Sequence, residues 1–198
     1  MEDSGVNKSL YDQILAAALN LFITYGYHGL SMRQIAEAVG VSKAALYYHF
    51  QDKEQLFLAV LDVQLDHFER LVGMAMTEEH NARQRIRRLV SEILSQPVEM
   101  RAAIRLASQE IAQLSEPARA KFNRSFHSRF IDKIQAMLAA GIARGELRPV
   151  DPGVATWALM GILHPYFFPA QTSEVPPAKT VIDPLLHIFL DGIAFPEA

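Results

Sequence analysis

The stretch that decides the fold runs from Ser31 to Lys53 and reads SMRQIAEAVGVSKAALYYHFQDK. It predicts two short helices that meet across a tight turn at Gly40. The first helix begins after Ser31, which forms a capping-box pattern with Gln34, and the second begins after Ser42. This arrangement is typical of a helix-turn-helix, whose second helix enters the major groove of DNA. The apolar faces that would join the two helices consist of Ile35, Ala36 and Val39 on the first and Val41, Leu46 and Phe50 on the second.

The sequence on both sides of this motif also predicts helices, and no strand pattern of useful length is present. A helix of regularly spaced apolar residues precedes the motif and ends at Gly26, and Asp52 with Gln55 begins a long helix after it. The sequence therefore predicts an all-α protein of about nine helices, with a helix-turn-helix domain over 1–55 and a larger helical domain over 56–198. The later helices are expected over 82–95, over 98–114, from Ser115 to Gly145, from Asp151 onward, and from Pro176-Pro177 to about Ile193.

Composition excludes several classes of function. The 198 residues contain no cysteine, which excludes disulfides, Cys-based zinc sites and thiol nucleophiles. The net charge is -3, so any DNA binding must come from a local surface and not from bulk charge. No Gly-rich phosphate loop, nucleophile elbow or local triad pattern is visible, so we expect neither an enzyme nor a cofactor.

One long uncharged stretch requires a membrane check. Residues 152–173 contain no Asp, Glu, Lys or Arg and are long enough to span a bilayer. Pro165, Pro169 and His164 interrupt the stretch, which favours a helix buried in a dimer interface over a membrane span. The N-terminal residues show no signal-peptide pattern, so we expect a cytoplasmic protein without a membrane segment.

Five short segments closely resemble the DNA-binding domain of the TetR family, and the resemblance covers about residues 10–58. It implies a homodimer that binds an inverted-repeat operator in double-stranded DNA, usually as a repressor that a small ligand releases. The alternative is a helical ligand-binding or interaction protein that does not use its helix-turn-helix on DNA. The matching segments are Gly26-Tyr27, Ser31-Met32-Arg33-Gln34-Ile35-Ala36, Val41-Ser42-Lys43, Leu46-Tyr47-Tyr48-His49-Phe50 and Lys53-Glu54-Gln55-Leu56.

The resemblance assigns roles to individual residues. Base-edge contact is implied for Arg33, which can bridge guanine O6 and N7, and for the tip of the second motif helix. Many family members have Gly where this chain has Ala44, and Thr or a similar residue where it has Leu30. Ala44 therefore adds a methyl group at the groove, and Leu30 removes one hydroxyl that could bind phosphate. The implied DNA-binding residues are Arg33, Lys43, Ala44 and Ala45, the tyrosines Tyr47 and Tyr48, and the phosphate clamps Ser42, His49 and Lys53.

A ligand site is expected between the long fourth helix and the helices that follow it. Such sites are mostly apolar, with a few polar groups that fix the orientation of the ligand. We expect an apolar or aromatic ligand, with an acidic group if Arg105 faces inward, and the alternative is a filled core without a cavity. Candidate walls are Phe68, Leu106, Phe126, Phe130, Trp157 and Met160, and candidate polar groups are Arg105, Gln109, His127 and His164.

Three further groups of residues indicate surfaces and interfaces of the protein. The basic run Arg83, Arg85, Arg87 and Arg88 predicts a solvated helix face, with a DNA or ligand role as the alternative. The histidines His127, His164 and His187 lack metal-ligand spacing, so we expect hydrogen-bonded core or pocket residues and no metal site.

The helices over 151–170 and 178–193 carry too much apolar surface for one solvated face, which predicts a four-helix dimer interface. Its expected members include Trp157, Leu159, Met160, Ile162, Leu163, Leu185, Leu186, Ile188 and Phe189.

Overall fold

The computed structural model of the chain describes residues 9–78, 81–167 and 178–193. Within these ranges the backbone forms nine helices and no strand, which confirms the predicted all-α fold. The expected start of the last helix at Pro176-Pro177 lies outside the described residues. The helices are α1 (Leu10–Tyr25), α2 (Met32–Val39), α3 (Lys43–His49), α4 (Lys53–Glu78), α5 (Ala82–Leu94), α6 (Val98–Glu110), α7 (Glu116–Phe126, continued through His127–Ile131 and Asp132–Ala143), α8 (Pro152–Phe167) and α9 (Ala178–Ile193).

The helix boundaries around the motif follow from local capping. Ser31 Oγ accepts a hydrogen bond from the Gln34 amide, and the Gln34 side chain accepts one from the Ser31 amide, which completes the predicted capping box. Gly40 ends α2 in the left-handed region at φ 77°, where a side chain would strain the backbone. Ser42 Oγ then accepts from the Ala45 amide at 3.0 Å and begins α3. The tight turn between two short helices is confirmed.

One predicted capping box and one predicted helix end differ in detail from the structure. The capping box at the start of α4 is only half formed: Asp52 accepts from the Gln55 amide at 2.8 Å, but the Gln55 side chain donates to Gln51. The helix expected over 98–114 ends at Glu110, and a single 3₁₀ turn over Ile111–Gln113 follows it. Such turns are a common way for an α-helix to end, and they give no sequence signal of their own.

Helix α7 contains a π-helical segment over His127–Ile131 that periodicity did not predict. One extra residue in a helical turn rotates the side chains that follow by about 100° relative to those before it. Phe126 precedes this segment and Phe130 lies within it, and their ring centroids are 5.7 Å apart. Phe122 packs against the core of the helix-turn-helix unit, whereas Phe130 is buried in the other unit.

The chain divides into two compact units. The first extends to Gln64 and includes Ala102–Phe122, and the second consists of Leu65–Arg101 with the described residues from Asn123 onward. Helices α4, α6 and α7 each contain residues of both units. Residues 102–110 of α6 and residues 116–122 of α7 thus belong to the helix-turn-helix unit. The division at residue 55 stays a prediction.

The first unit has a core of its own. Phe22 and Phe57 are fully buried and meet edge to face, with ring centroids 5.0 Å apart. The predicted apolar faces of the motif are confirmed, because Ile35, Ala36, Leu46 and Phe50 are buried and Val39 and Val41 pack against them. Burial of this apolar surface is the main term that stabilises the unit.

The second unit is organised around α5, α7, α8 and α9. Ile86 and Leu89 on α5 and Ile134 on α7 are fully buried. Gly141 allows α7 to lie close to the start of α5, because a Cβ atom at Gly141 would lie 2.6 Å from the Cβ of Ala82. No helix among the described residues is long and apolar enough to cross a membrane.

Candidate nucleic-acid interface

Helix α3 separates its buried face from its exposed face. Leu46 is fully buried in the core of the first unit, and Ala45 is half-buried beside it. Lys43, Ala44 and Tyr48 are exposed, and Tyr48 keeps 86% of its surface open. A large aromatic side chain in a small folded unit is normally covered, so this exposure leaves Tyr48 available for contact.

The exposed face carries a cluster of rings and one cation. Lys43 Nζ lies 5.6 Å from the centroid of the Tyr47 ring, within the range of a cation–π interaction. His49 is half-buried and meets the rings of Tyr11 at 6.0 Å and Tyr48 at 5.2 Å. Sequence reasoning missed Tyr11, because its contact with His49 joins residues far apart in the chain.

Arg33 lies on the exposed face of α2 and is paired with Glu37 one turn later. The two side chains are 2.8 Å apart and 78% and 61% exposed. The hydrogen bond to Glu37 raises the pKa of Arg33, so the guanidinium stays charged. Exposed pairs of this kind contribute little to stability, so Arg33 can exchange Glu37 for another acceptor at little cost.

Two of the positions matched to phosphate clamps already have roles inside the protein. The Ser42 hydroxyl caps α3, although its own hydrogen stays free to be donated. Lys53 is partly buried, and its Nζ donates to the backbone carbonyls of Tyr27 and Leu30. The Leu30 side chain is buried in the core of the unit, so an apolar residue satisfies the packing at this position.

Hydrogen bonds connect the turn between α6 and α7 to residues that flank the helix-turn-helix motif. Glu54 accepts from both the amide and the hydroxyl of Ser115, at 2.7 and 2.8 Å. His28 and Gln113 are hydrogen-bonded at 3.1 Å. The sequence showed Glu54 only as part of the family pattern, and its partner 61 residues later had no local signal.

The second unit brings several candidate ligand residues together. The Phe130 ring lies 5.8 Å from Phe68 and 5.7 Å from Phe126, and the His127 ring lies 6.1 Å from Phe126 and 6.2 Å from Trp157. Phe68 and Phe130 are buried, Phe126 is half-buried, and Trp157 is 56% exposed. We call Phe68, Phe126 and Phe130 the aromatic cluster. Trp157, expected as a pocket wall, is largely open to solvent in the single chain.

The remaining candidate ligand residues are more scattered. Leu106 is buried in the core of the first unit, Arg105 is half-buried and Gln109 is exposed. Met160 on α8 is half-buried, and His164 on the same helix is exposed. Sequence periodicity placed these residues on suitable helices but did not determine which unit each would join.

Charged residues surround the π-helical segment next to the aromatic cluster. Arg129 is paired with Asp66 and with Glu69, and Lys133 Nζ lies 2.5 Å from Glu69. The Arg129 side chain is only 22% exposed, so these pairs are screened less than surface pairs. They link α4 to α7 within the second unit.

The basic run of α5 and the three histidines differ from expectation. Arg83 and Arg87 reach Asp191 and Asp183 on α9, so part of the run joins two helices and is not only a solvated face. His127, His164 and His187 are all exposed in the single chain, so they are not core residues, and the alternative of pocket histidines stays a prediction. No group of three or more potential metal ligands occurs among the described residues.

Helices α8 and α9 leave apolar side chains uncovered. Val154, Trp157 and Ile188 are 68%, 56% and 67% exposed. Several expected interface residues are instead buried within the chain itself, because the sequence could not show which side of a nearly all-apolar helix faces its own core. These inward residues are Leu159, Leu163, Leu186 and Phe189, whereas Met160, Ile162 and Leu185 are half-buried.

Comparison with known proteins identifies both parts of the chain. A family model described as bacterial regulatory proteins, tetR family, matches residues 14–60, and one described as a tetracyclin repressor-like C-terminal domain matches residues 79–166. The HTH-type transcriptional regulator RutR of Escherichia coli O157:H7 is 33% identical over 139 residues, which are 70% of this chain and 65% of that protein. The HTH-type transcriptional activator FasR of Mycolicibacterium smegmatis is 42% identical over 78 residues, 39% of this chain and 36% of that protein.

A solved structure is similar over nearly the whole chain. The crystal structure of AibR in complex with isovaleryl coenzyme A and operator DNA is 26% identical, with a TM-score of 0.76. The match covers 94% of this chain and 100% of that one. The curated relatives RutR and FasR, in contrast, are matched over 65% and 36% of their lengths.

Proposed function

This chain belongs to the TetR family of bacterial regulatory proteins, and we propose that it is a cytoplasmic DNA-binding repressor released from its operator by a small apolar or aromatic ligand. The observation that carries the proposal is the exposed face of α3. A capped recognition helix with a buried apolar side presents Lys43, Ala44, Tyr47 and Tyr48 to solvent. Lysine suits phosphate, and alanine and tyrosine suit thymine methyl groups and base edges.

The DNA partner would be an inverted repeat read by a homodimer. Two copies of α3 at a spacing near one turn of DNA, about 34–36 Å, or a multiple of it would read two half-sites. The exposed apolar side chains of α8 and α9 offer a surface for pairing, because burial of apolar area drives the association of protein chains. Light scattering at micromolar concentration should give twice the chain mass of 22.2 kDa.

The test of DNA binding is a gel shift and footprint on the intergenic DNA next to the chain's own gene. A protected inverted repeat is expected. If no intergenic fragment is bound better than random duplex of the same length, the proposal fails. The result would then favour the alternative, a helical ligand-binding protein that does not use its helix-turn-helix on DNA. Transcription measured with and without the protein separates repression from activation, the role named for FasR.

The effector is proposed to bind against the aromatic cluster of the second unit. These three rings offer apolar surface, and His127, whose ring lies 6.1 Å from that of Phe126, supplies a polar group. Since AibR was crystallised with isovaleryl coenzyme A, short acyl-CoA thioesters join aromatic acids and fatty acids as probes.

The effector test combines binding with release from DNA. A probe that binds should raise the melting temperature and weaken operator binding, because a ligand shifts an equilibrium only by its differential affinity for the two states. Phe126→Ala should remove both effects, and Tyr25→Ala, which truncates an exposed aromatic of the first unit, should remove neither. A probe that stabilises the protein without changing DNA binding would contradict the proposed switch.

A further inference from the structure

Lys53 differs from the other residues matched to DNA contacts because its charge is directed into the protein. Its Nζ donates to the carbonyl oxygen of Tyr27 at 2.7 Å and to that of Leu30 at 2.8 Å. The same nitrogen lies 4.3 Å from the centroid of the Tyr27 ring. An ammonium group has three N–H donors, so two are used on carbonyls while an aromatic face covers part of the charge.

Groups of the same unit offset part of the cost of burying the Lys53 charge. Burial lowers the pKa of Lys53, and the nearby carboxylate of Glu110 raises it. Glu110 also approaches the same turn, because a Cβ atom at Gly26 would lie 2.9 Å from its Oε1. Two carbonyls, a ring and a carboxylate of the same unit therefore surround the Lys53 ammonium group, and the carbonyls take up two of its three donors.

The two carbonyls lie in the connection between α1 and α2. The side chains of Tyr27 and Leu30 are buried in the unit core, and the next residue, Ser31, caps α2. Lys53 thus joins the first residue of α4 to the turn that determines where α2 begins. Helix α2 carries Arg33, so the direction in which Arg33 is presented depends on this turn.

We propose that Lys53 is a positioning residue for operator binding, which holds the α1–α2 turn in place, and that it is not a phosphate contact. The proposal rests on the DNA-binding function proposed above. Lys43 is the matched comparison, because it is an exposed lysine at the start of α3 whose amine lies over the Tyr47 ring.

The first test compares Lys53→Met with Lys43→Met in the dimeric protein, on the intergenic DNA and on random duplex. Each neutralised phosphate contributes about 0.9 to the slope of log K against log salt, so Lys43→Met should flatten the slope by about that amount per contact. Lys53→Met should leave the slope unchanged, lower operator affinity at least about tenfold, and lower the melting temperature by about 3 °C or more. If Lys53→Met flattens the slope of log K against log salt as much as Lys43→Met does, the proposal is overturned.

The second test keeps the charge and changes the shape. In Lys53→Arg the guanidinium is planar and larger, and it cannot place a compact ammonium between two carbonyls. We expect operator affinity to fall about as much as in Lys53→Met. A phosphate contact predicts the opposite, because arginine binds phosphate as well as lysine does. Wild-type affinity in Lys53→Arg therefore contradicts the proposal.

A third measurement uses the unmodified protein and does not depend on how the variants fold. The ¹⁵N–¹H spectrum of the lysine ammonium groups should show Lys53 in slow exchange with water before DNA is added, and Lys43 in fast exchange. Addition of DNA should change the Lys43 signal and leave that of Lys53 in place. A Lys53 ammonium that is free in the apoprotein and shifts with DNA would refute the positioning role. Failure of the unmodified protein to bind any DNA would instead refute the proposed function, and the melting temperatures would still show whether Lys53 holds the turn.

Discussion

The helix-turn-helix and the last two helices differ in how completely their apolar side chains are covered within one chain. In α2 and α3 the large aliphatic side chains are buried or half-buried within one chain, and the exposed residues are charged, polar, small or aromatic with a polar tip. In α8 and α9 apolar side chains also lie on the exposed side, where Val154, Trp157 and Ile188 stay uncovered. The first region is complete as a folded unit and has its surface free for DNA. The second needs another protein surface, which a second copy of the chain would supply.

The largest expected effect comes from placing a charge on the uncovered face of α9. Ile188→Asp leaves the chain fold intact because Ile188 is 67% exposed. In a dimer it would bury an unpaired carboxylate, which costs about 3–5 kcal/mol and raises the dimer dissociation constant by at least about a hundredfold. Light scattering should change from dimer to monomer mass at micromolar concentration. Tyr48→Asp adds the same charge to α3 and should leave the measured mass unchanged. If both variants give the monomer mass, the dimer interface is not specific to α8 and α9.

The next effect tests whether the helix-turn-helix is complete within one chain. Leu46→Ala removes a fully buried side chain of α3 and should lower the free energy of unfolding by about 2–5 kcal/mol. Tyr48→Ala, two residues later and 86% exposed, should change it by less than about 0.5 kcal/mol. Urea denaturation measures both. A large destabilisation by Tyr48→Ala would mean that this ring is covered in the folded protein.

A smaller effect concerns base reading by α2. Arg33→Ala should weaken operator binding by about 1–3 kcal/mol and relax the preference at particular base pairs. The change removes only an exposed ion pair from the fold, so stability should hardly move. Arg83→Ala removes the same charge from the second unit and should leave operator binding as it is. Equal losses in both variants would show that the arginines act through net charge.

The smallest effect separates two roles of one hydroxyl. Ser42→Ala should destabilise the protein by about 1 kcal/mol because the Ala45 amide loses its cap. Ser42→Asp keeps a capping oxygen, so the melting temperature should stay near that of the wild type, while its negative charge repels phosphate and weakens DNA binding. If Ser42→Asp binds DNA normally, Ser42 lies away from the phosphate backbone.

Much of the first unit could be predicted from the sequence because its signals are local. The caps at Ser31 and Ser42 and the left-handed Gly40 use contacts within three or four residues, and the alternation of apolar and polar positions follows the helical period. The exposure of Tyr48 follows from that same period. The sequence alone therefore determined the helix-turn-helix, the all-α fold and the resemblance to the TetR family.

Contacts between distant parts of the chain had no such signal, and only the tertiary structure decided them. Lys53 meets carbonyls 23 and 26 residues earlier, and Arg129 meets Glu69 60 residues earlier. The π-helical segment of α7 and the inward side of α8 likewise depend on which neighbour packs against each helix. A nearly uniform apolar helix can bury either face at similar local cost, so its orientation is determined by the shape of the surrounding core and not by its own sequence.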